Sequence, residues 1–164
     1  MAELTNLESK LGEVTGLAMA AKAATTTVTK LARKESKQLV ASLQKMKAEA
    51  AETERRCKAL AGTFEGKKTA IIEEARETKE KGASMLEIYL DTESDVLDGF
   101  EFLTMAEAGE VGHWEVLEKM AAKAGRADVV ALVRWALPIQ QRHFDTARAT
   151  SAKLAAAEDP NKPS

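Results

Sequence analysis

Apolar residues recur at alternating spacings of three and four along most of this chain, the repeat of one face of an α-helix. The first such segment runs from about Leu4 to Ala32, with Leu7, Leu11, Val14, Ala18, Ala21, Thr25 and Val28 on one face. The polar stretch "RKESKQ" interrupts it, and a second stripe follows at once: Leu39, Leu43, Met46, Ala50, Thr53, Cys57, Leu60 and Phe64, ending near Gly62 or Gly66. "TAIIEEARETKEK" then predicts a short helix whose only strong apolar pair is Ile71 and Ile72, stopped by Gly82. A third long helix is expected from about Ser84 to Ala124, with Leu86, Leu90, Glu93, Leu97, Phe100, Thr104, Glu107, Val111 and Trp114 in register and Gly125 as its stop. The fourth takes Asp128 as cap and carries Val129, Val133, Ala136, Gln140, Phe144, Ala147 and Leu154. The pattern predicts an all-α antiparallel four-helix bundle over residues 1–157, with an additional short helix between the second and third core helices and a loose tail over 158–164.

Composition adds bounds. The 164 residues are 45% apolar and 30% charged, which suits one helix-rich domain. The 24 basic and 26 acidic residues are well mixed and leave a formal net charge of -2, so no field draws the chain to nucleic acid or to an anionic membrane. Cys57 is the single cysteine, no apolar run reaches transmembrane length, and no charged-then-apolar signal segment begins at Met1. A cytoplasmic protein is expected. On the second helix's apolar stripe, Cys57 reads as a small buried thiol. "GEVTG", Gly12 to Gly16, would let two helices approach closely. Trp114 lies on its helix's core stripe, whereas Trp135 points away from one and suggests a cover for the minor helix or an oligomer contact.

Candidate chemistry lies in the residues that break the apolar stripes. At roughly 100° per residue, Glu93 and Glu107 fall near the middle of the third helix's apolar face and Gln140 near the middle of the fourth's. A buried carboxylate or amide has to be paired, metal-bound, hydrated or protonated. Carboxylate-bridged di-metal bundles use Glu-x-x-His on a helix, because residues three apart share a face. "EVGH", Glu110 to His113, and "QQRH", Gln140 to His143, are near matches that use both histidines of the chain. The ordinary alternative is a buried hydrogen-bond network. No glycine-rich phosphate loop, paired-cysteine metal motif or nucleophile triad is present, and no catalytic residue is assigned.

Three stretches, "KMKAEAAETERRCKALAGTFEGKK", "EAGEVGHWEVLEKMAAKAG" and "ALVRWALPIQQRHFDTARATSAKLA", resemble the ferritin-like superfamily, and within it the bacterial stress-associated branch of small five-helix proteins. The resemblance implies a di-metal centre, of iron or manganese, between the core helices. Glu107 and Glu110 match the family's paired ligands on the third helix, and His113 then turns away from the core centre. Glu52 matches a second-helix ligand, but Arg56 stands where a His or Gln is expected one turn later. The first helix has Lys22 between alanines where another acid is expected, and the fourth has Gln140 for a Glu while keeping His143. Every departure removes negative charge or adds positive charge, whereas such cations need anionic oxygens.

Glu52, Glu107, Glu110 and His143 are therefore candidate ligands of a vestigial site, with Lys22, Arg56, Glu93 and Gln140 forming a buried polar network in place of the metal. Pro138, just before Gln140, is expected to bend its helix. The function expected is a structural, homo-oligomeric or protein-partner-binding role, in a stress response as the resemblance suggests. The alternative is a working di-iron or di-manganese carboxylate protein with an atypical site, active in iron oxidation, peroxide chemistry or metal storage. A bundle holding an apolar or haem-like ligand is a third option, although Met46 and Met105 read more simply as packing residues.

Overall fold

The computed structural model describes residues 2–162. Among them five helices occur and no strand: α1 (Asn6–Ala32), α2 (Lys37–Ala61), α3 (Lys68–Tyr89), α4 (Val96–Lys123) and α5 (Ala127–Ala155). Local chemistry sets most of the ends. Thr5 and Glu8 form a capping box at the start of α1, and the Ser36 hydroxyl accepts from the first turn of α2. Gly125, at φ +66°, takes the left-handed conformation that closes α4. α5 is capped at Arg126 rather than at Asp128. Asp128 sits in the first turn and pairs with the Arg126 guanidinium at 2.7 Å. Pro138 is exposed, and α5 continues through it. No described helix is long and apolar enough to cross a membrane. Met1, where a signal segment was looked for, lies outside the described residues, as do Pro163 and Ser164 at the end of the expected tail. Residues 158–162 are exposed and non-helical.

The largest departure from expectation concerns α3 and α4. The helix expected to stop at Gly82 runs on to Tyr89, and the one expected to start near Ser84 begins at Val96. Gly82 is an approach point: a Cβ there would lie 2.7 Å from the Ala20 Cβ of α1. The real stop is "DTESD". The Asp91 carboxylate accepts from the Glu93 and Ser94 amides, and Asp95 caps α4 in a box with Asp98. Glu93 is thus an exposed loop residue, and its expected place in a buried network is wrong because the helix phase does not carry across residues 90–95. α3 is a full 22-residue helix laid along α1. Gly12 and Gly16 seat it, since a Cβ on Gly12 would meet Glu74 at 2.7 Å and one on Gly16 would overlap the Ala75 carbonyl oxygen. The "GEVTG" stretch therefore serves packing within the chain.

α1 packs against α2, α3 and α4, while α5 packs against α4 and α2. Side-chain pairs give the registers. Between α1 and α2, Lys22 meets Glu54; between α4 and α5, Thr104 meets Ser151 at 3.1 Å and Glu107 meets Gln140. Gly99 of α4 lies under Val28 of α1, and His113 of α4 lies beside Glu13 of α1. Arg142 of α5 bonds Glu49 of α2, and Arg56 of α2 stacks on Trp135 of α5. Two apolar clusters fill the bundle. Leu11, Cys57, Ile71, Trp114, Leu117 and Val133 belong to one, and Val28, Leu43, Met46, Phe100, Leu103 and Ala147 to the other.

The glycine contacts generate the first prediction. Gly16→Ala should cost about 1–3 kcal/mol, because backbone has to move to admit one methyl group. In the open interior of α4, where a Cβ meets nothing within 4 Å, Gly112→Ala should instead stabilise by about 0.5–1 kcal/mol. Urea denaturation of the two variants reads both signs, and equal effects would mean that α3 is not seated on Gly16.

Candidate functional site

The two apolar clusters are separated, at one level of the bundle, by polar or small side chains on every long helix. On α4 the level is Glu107 and Glu110, after Leu103 and before Trp114. On α5 it is Gln140 and His143, after Ala136 and before Ala147. On α2 it is Glu49 and Thr53, after Met46 and before Cys57, while α1 offers Ala18 and Ala21.

Glu107 is the centre, 1% exposed. Its Oε2 accepts a hydrogen bond from the Gln140 side-chain amide, and His143 Nδ1 lies 3.6 Å from the same oxygen. That distance is an ion-pair contact rather than a hydrogen bond. His143 Nε2 is 2.7 Å from Glu49 Oε2, and Glu49 Oε1 accepts from Arg142 Nη2 at 2.7 Å. The chain of contacts runs from α4 through α5 to α2 and out to solvent at Arg142. Burial opposes a charge on His143, but Glu107 and Glu49 together outweigh it and hold its pKa above the ordinary imidazole value. For Glu49 burial again acts first, and His143 and Arg142 overcome it and keep the carboxylate below its usual range.

Glu110 behaves differently. Burial, and then the charge of Glu107, push its pKa well above the usual carboxyl value, so that its neutral form is favoured. It has no hydrogen-bond partner among the described residues and lines a cavity between α1, α3 and α4. Burial pushes the Cys57 thiol up to about 12, which makes it inert.

Glu107, Gln140 and His143 thus meet where angular spacing puts them, and Glu110 borders them. His113 is half-buried beside Glu13, away from the other three. The other expected members lie elsewhere. Glu52 is bonded on the surface to Arg55 and Arg56, which hold it near 2. Arg56 also stacks on Trp135 at 4.0 Å, so it is a surface residue covering that ring and not part of a core network. Lys22 pairs with Glu54 on the far flank of α2, and burial there is outweighed by Lys22 and Lys58, which lower the Glu54 pKa.

Glu49 is the member that sequence reasoning missed. The signal was available: Glu49 and Glu54 lie roughly 70° to either side of the apolar stripe of α2, whereas Glu52 lies on the opposite face.

Comparison of the chain with family models, with curated proteins and with solved structures finds no match. The donor set must speak for itself, and it does not fit a di-metal centre. Gln140 turns an amide N–H toward Glu107, both nitrogens of His143 are set against carboxylates, and Glu110 makes no hydrogen bond to any of them. Among the described residues no group of three His, Cys, Asp or Glu side chains is placed to hold a metal.

A histidine whose folded pKa is raised contributes stability that is fully present below its ordinary value of 6.5 and is lost as pH rises through the folded value. His143→Gln should cost about 3–5 kcal/mol near pH 6, the range for breaking a buried pair. In urea titrations the gap to wild type should narrow as pH rises above the ordinary value of 6.5 and through the raised folded value. A gap that widens with pH would mean that His143 is held neutral.

Proposed function

We propose that the chain is a ferritin-like bundle whose core site has become a metal-free polar network, and that it works as a structural, homo-oligomeric or partner-binding module in the stress-associated manner its sequence suggests. The observation that carries this reading is the hydrogen bond from Gln140 to Glu107 at the level where four long helices converge. An amide donor stands where a bridging carboxylate would supply charge. Two divalent cations about 4 Å apart repel by about 17 kcal/mol at an effective dielectric of about 20, and anionic oxygens must offset that. Glu110, held toward its neutral form, adds little to the sum.

Register supports the bundle arrangement. Residue numbers rise along one helix as they fall along its partner for α1 with α4, α2 with α5 and α4 with α5, and the short turn at 33–36 folds α2 back along α1, while Gly12 with Glu74 and Ala20 with Gly82 rise together. That is an antiparallel square in which α2 and α4 run the same way, with α3 as the long crossover between them. Ferritin-like bundles likewise have one long crossover, which supports the reading. Contact between copies is supported by the end of α3, where Ile88 and Tyr89 expose apolar surface and Ile88 is 79% exposed.

Calorimetric titration with manganous ion tests the network. Wild type should take up less than about one equivalent, weakly, and Gln140→Glu should bind more tightly while being less stable without metal, because it adds a like charge beside Glu107. Two ions bound tightly by wild type, with no gain in the variant, would overturn the reading in favour of a working di-iron or di-manganese carboxylate protein. Sedimentation velocity tests the contact face: wild type should run larger than one chain and Ile88→Glu as one chain, and a monomeric wild type removes the homo-oligomer.

A further inference from the structure

We propose that the cavity between α1, α3 and α4 binds a small organic cation, an apolar body carrying one ammonium group, with Glu110 as its charge partner. The cavity measures about 220 Å³ and is walled by Leu17 and Ala21 of α1, Met85 of α3 and Leu103 of α4. Two acidic residues line it, Glu107 and Glu110. Glu107 is already engaged by Gln140, whereas Glu110 is 4% exposed and has no hydrogen-bond partner among the described residues. No buried side-chain oxygen or nitrogen is left both sealed and unbonded among those residues, so the Glu110 oxygens open onto the cavity.

Charge and size select the ligand. A buried carboxyl beside a second carboxyl is costly to ionise alone, and an ammonium group brought against it supplies the missing charge and N–H donors. At the mouth, His113 Nδ1 lies 3.0 Å from Glu13 and 3.4 Å from Lys10 Nζ, and Lys10 is itself paired with Glu13, so the basic groups there are already matched on α1. A dry cavity of about 150 Å³ holds benzene, which scales to about nine non-hydrogen atoms here. The apolar walls disfavour a polyamine, whose further charges would be buried unpaired. A bare metal ion lacks a third ligating side chain among the described residues. Met85 and Met105, exposed at the rim, give the opening flexible sides.

The test uses phenethylamine, with phenethyl alcohol as the neutral isostere and phenylacetate as the anion, each titrated by calorimetry and by NMR shift mapping. Phenethylamine should bind roughly 10- to 100-fold more tightly than the alcohol, the range that a charged hydrogen bond supplies, and phenylacetate more weakly than either. Glu110→Gln should erase the preference for the amine while leaving the alcohol unchanged. Gly109→Leu is a second variant: Gly109 lines the cavity, a Cβ there meets nothing within 4 Å, and the added side chain should block all three ligands in a folded protein. Equal binding of amine and alcohol, an amine preference that survives Glu110→Gln, binding that survives Gly109→Leu, or no binding at millimolar ligand would each overturn the proposal. The manganese titration reads Gln140 and His143 instead, so either reading can fail without the other.

Discussion

The hydrogen bond from Gln140 to Glu107 is the contact on which the rest of the bundle depends. It joins the two helices in the most extensive contact, and it lies between the two apolar clusters. Apolar side chains tolerate sliding, because one leucine replaces another at small cost. A buried carboxylate does not. Moving α5 by one turn along α4 would bring Ala136 or His143 to Glu107 in place of Gln140 and take His143 away from Glu49, at about 1–3 kcal/mol for each buried group left unpaired. The polar layer thus specifies the alignment that the apolar layers on either side then stabilise. The same layer explains why α2 needs Glu49 where its stripe would accept an apolar residue: without that carboxylate, His143 would carry its charge against one partner instead of two.

The layer's charge is arranged so that only one acid is left over. Glu49 is shared by His143 and Arg142, and Glu107 by Gln140 and His143. Glu110 receives nothing. Of the lysines on α1, Lys22 is directed to the other flank of α2, where it meets Glu54, and Lys10 is paired with Glu13. Burial and the neighbouring Glu107 charge therefore both push the Glu110 pKa up, with no cation at hand to oppose them.

How much of this could be read from the residues follows from what periodicity measures. It reports which way a side chain points within one helix, and on that question it placed Glu107, Gln140, His143 and Trp114 inward and His113 outward, as found. It cannot say where a helix ends when capping residues and an apolar rhythm coexist. Leu86, Leu90 and Leu97 keep a helical spacing across "DTESD", and the two aspartates that break it also occur freely in helices. Glu93 was carried inward by that false continuity. Glycine misled for a related reason, since Gly82 marks a helix end in isolation and a close approach once α1 lies against it. Glu52 came from motif matching, which overrode an angular signal favouring Glu49.

The cavity and the unpaired acid have one origin in the small residues of α1. Gly12 and Gly16 draw α3 onto α1 from one side, and on the side facing α4 the same helix presents Ala18, Ala21 and Ala24. Small side chains there cannot reach across to α4, so volume remains beside Glu110, where no donor is offered to it; a leucine at Ala21 would fill the space and a lysine would neutralise the acid, and the chain has neither. α3 cannot move inward to close the gap, because its distance from α1 is already set by backbone contact at Gly16 and by the Ala20 contact at Gly82. A void of this size lined by leucine and methionine would ordinarily be eliminated by repacking, at about 24 cal/mol per Å³ gained. Here repacking is blocked on one side by a helix seated on glycine and on the other by an alignment that Glu107 holds, which leaves the space open to a ligand and not to a side chain.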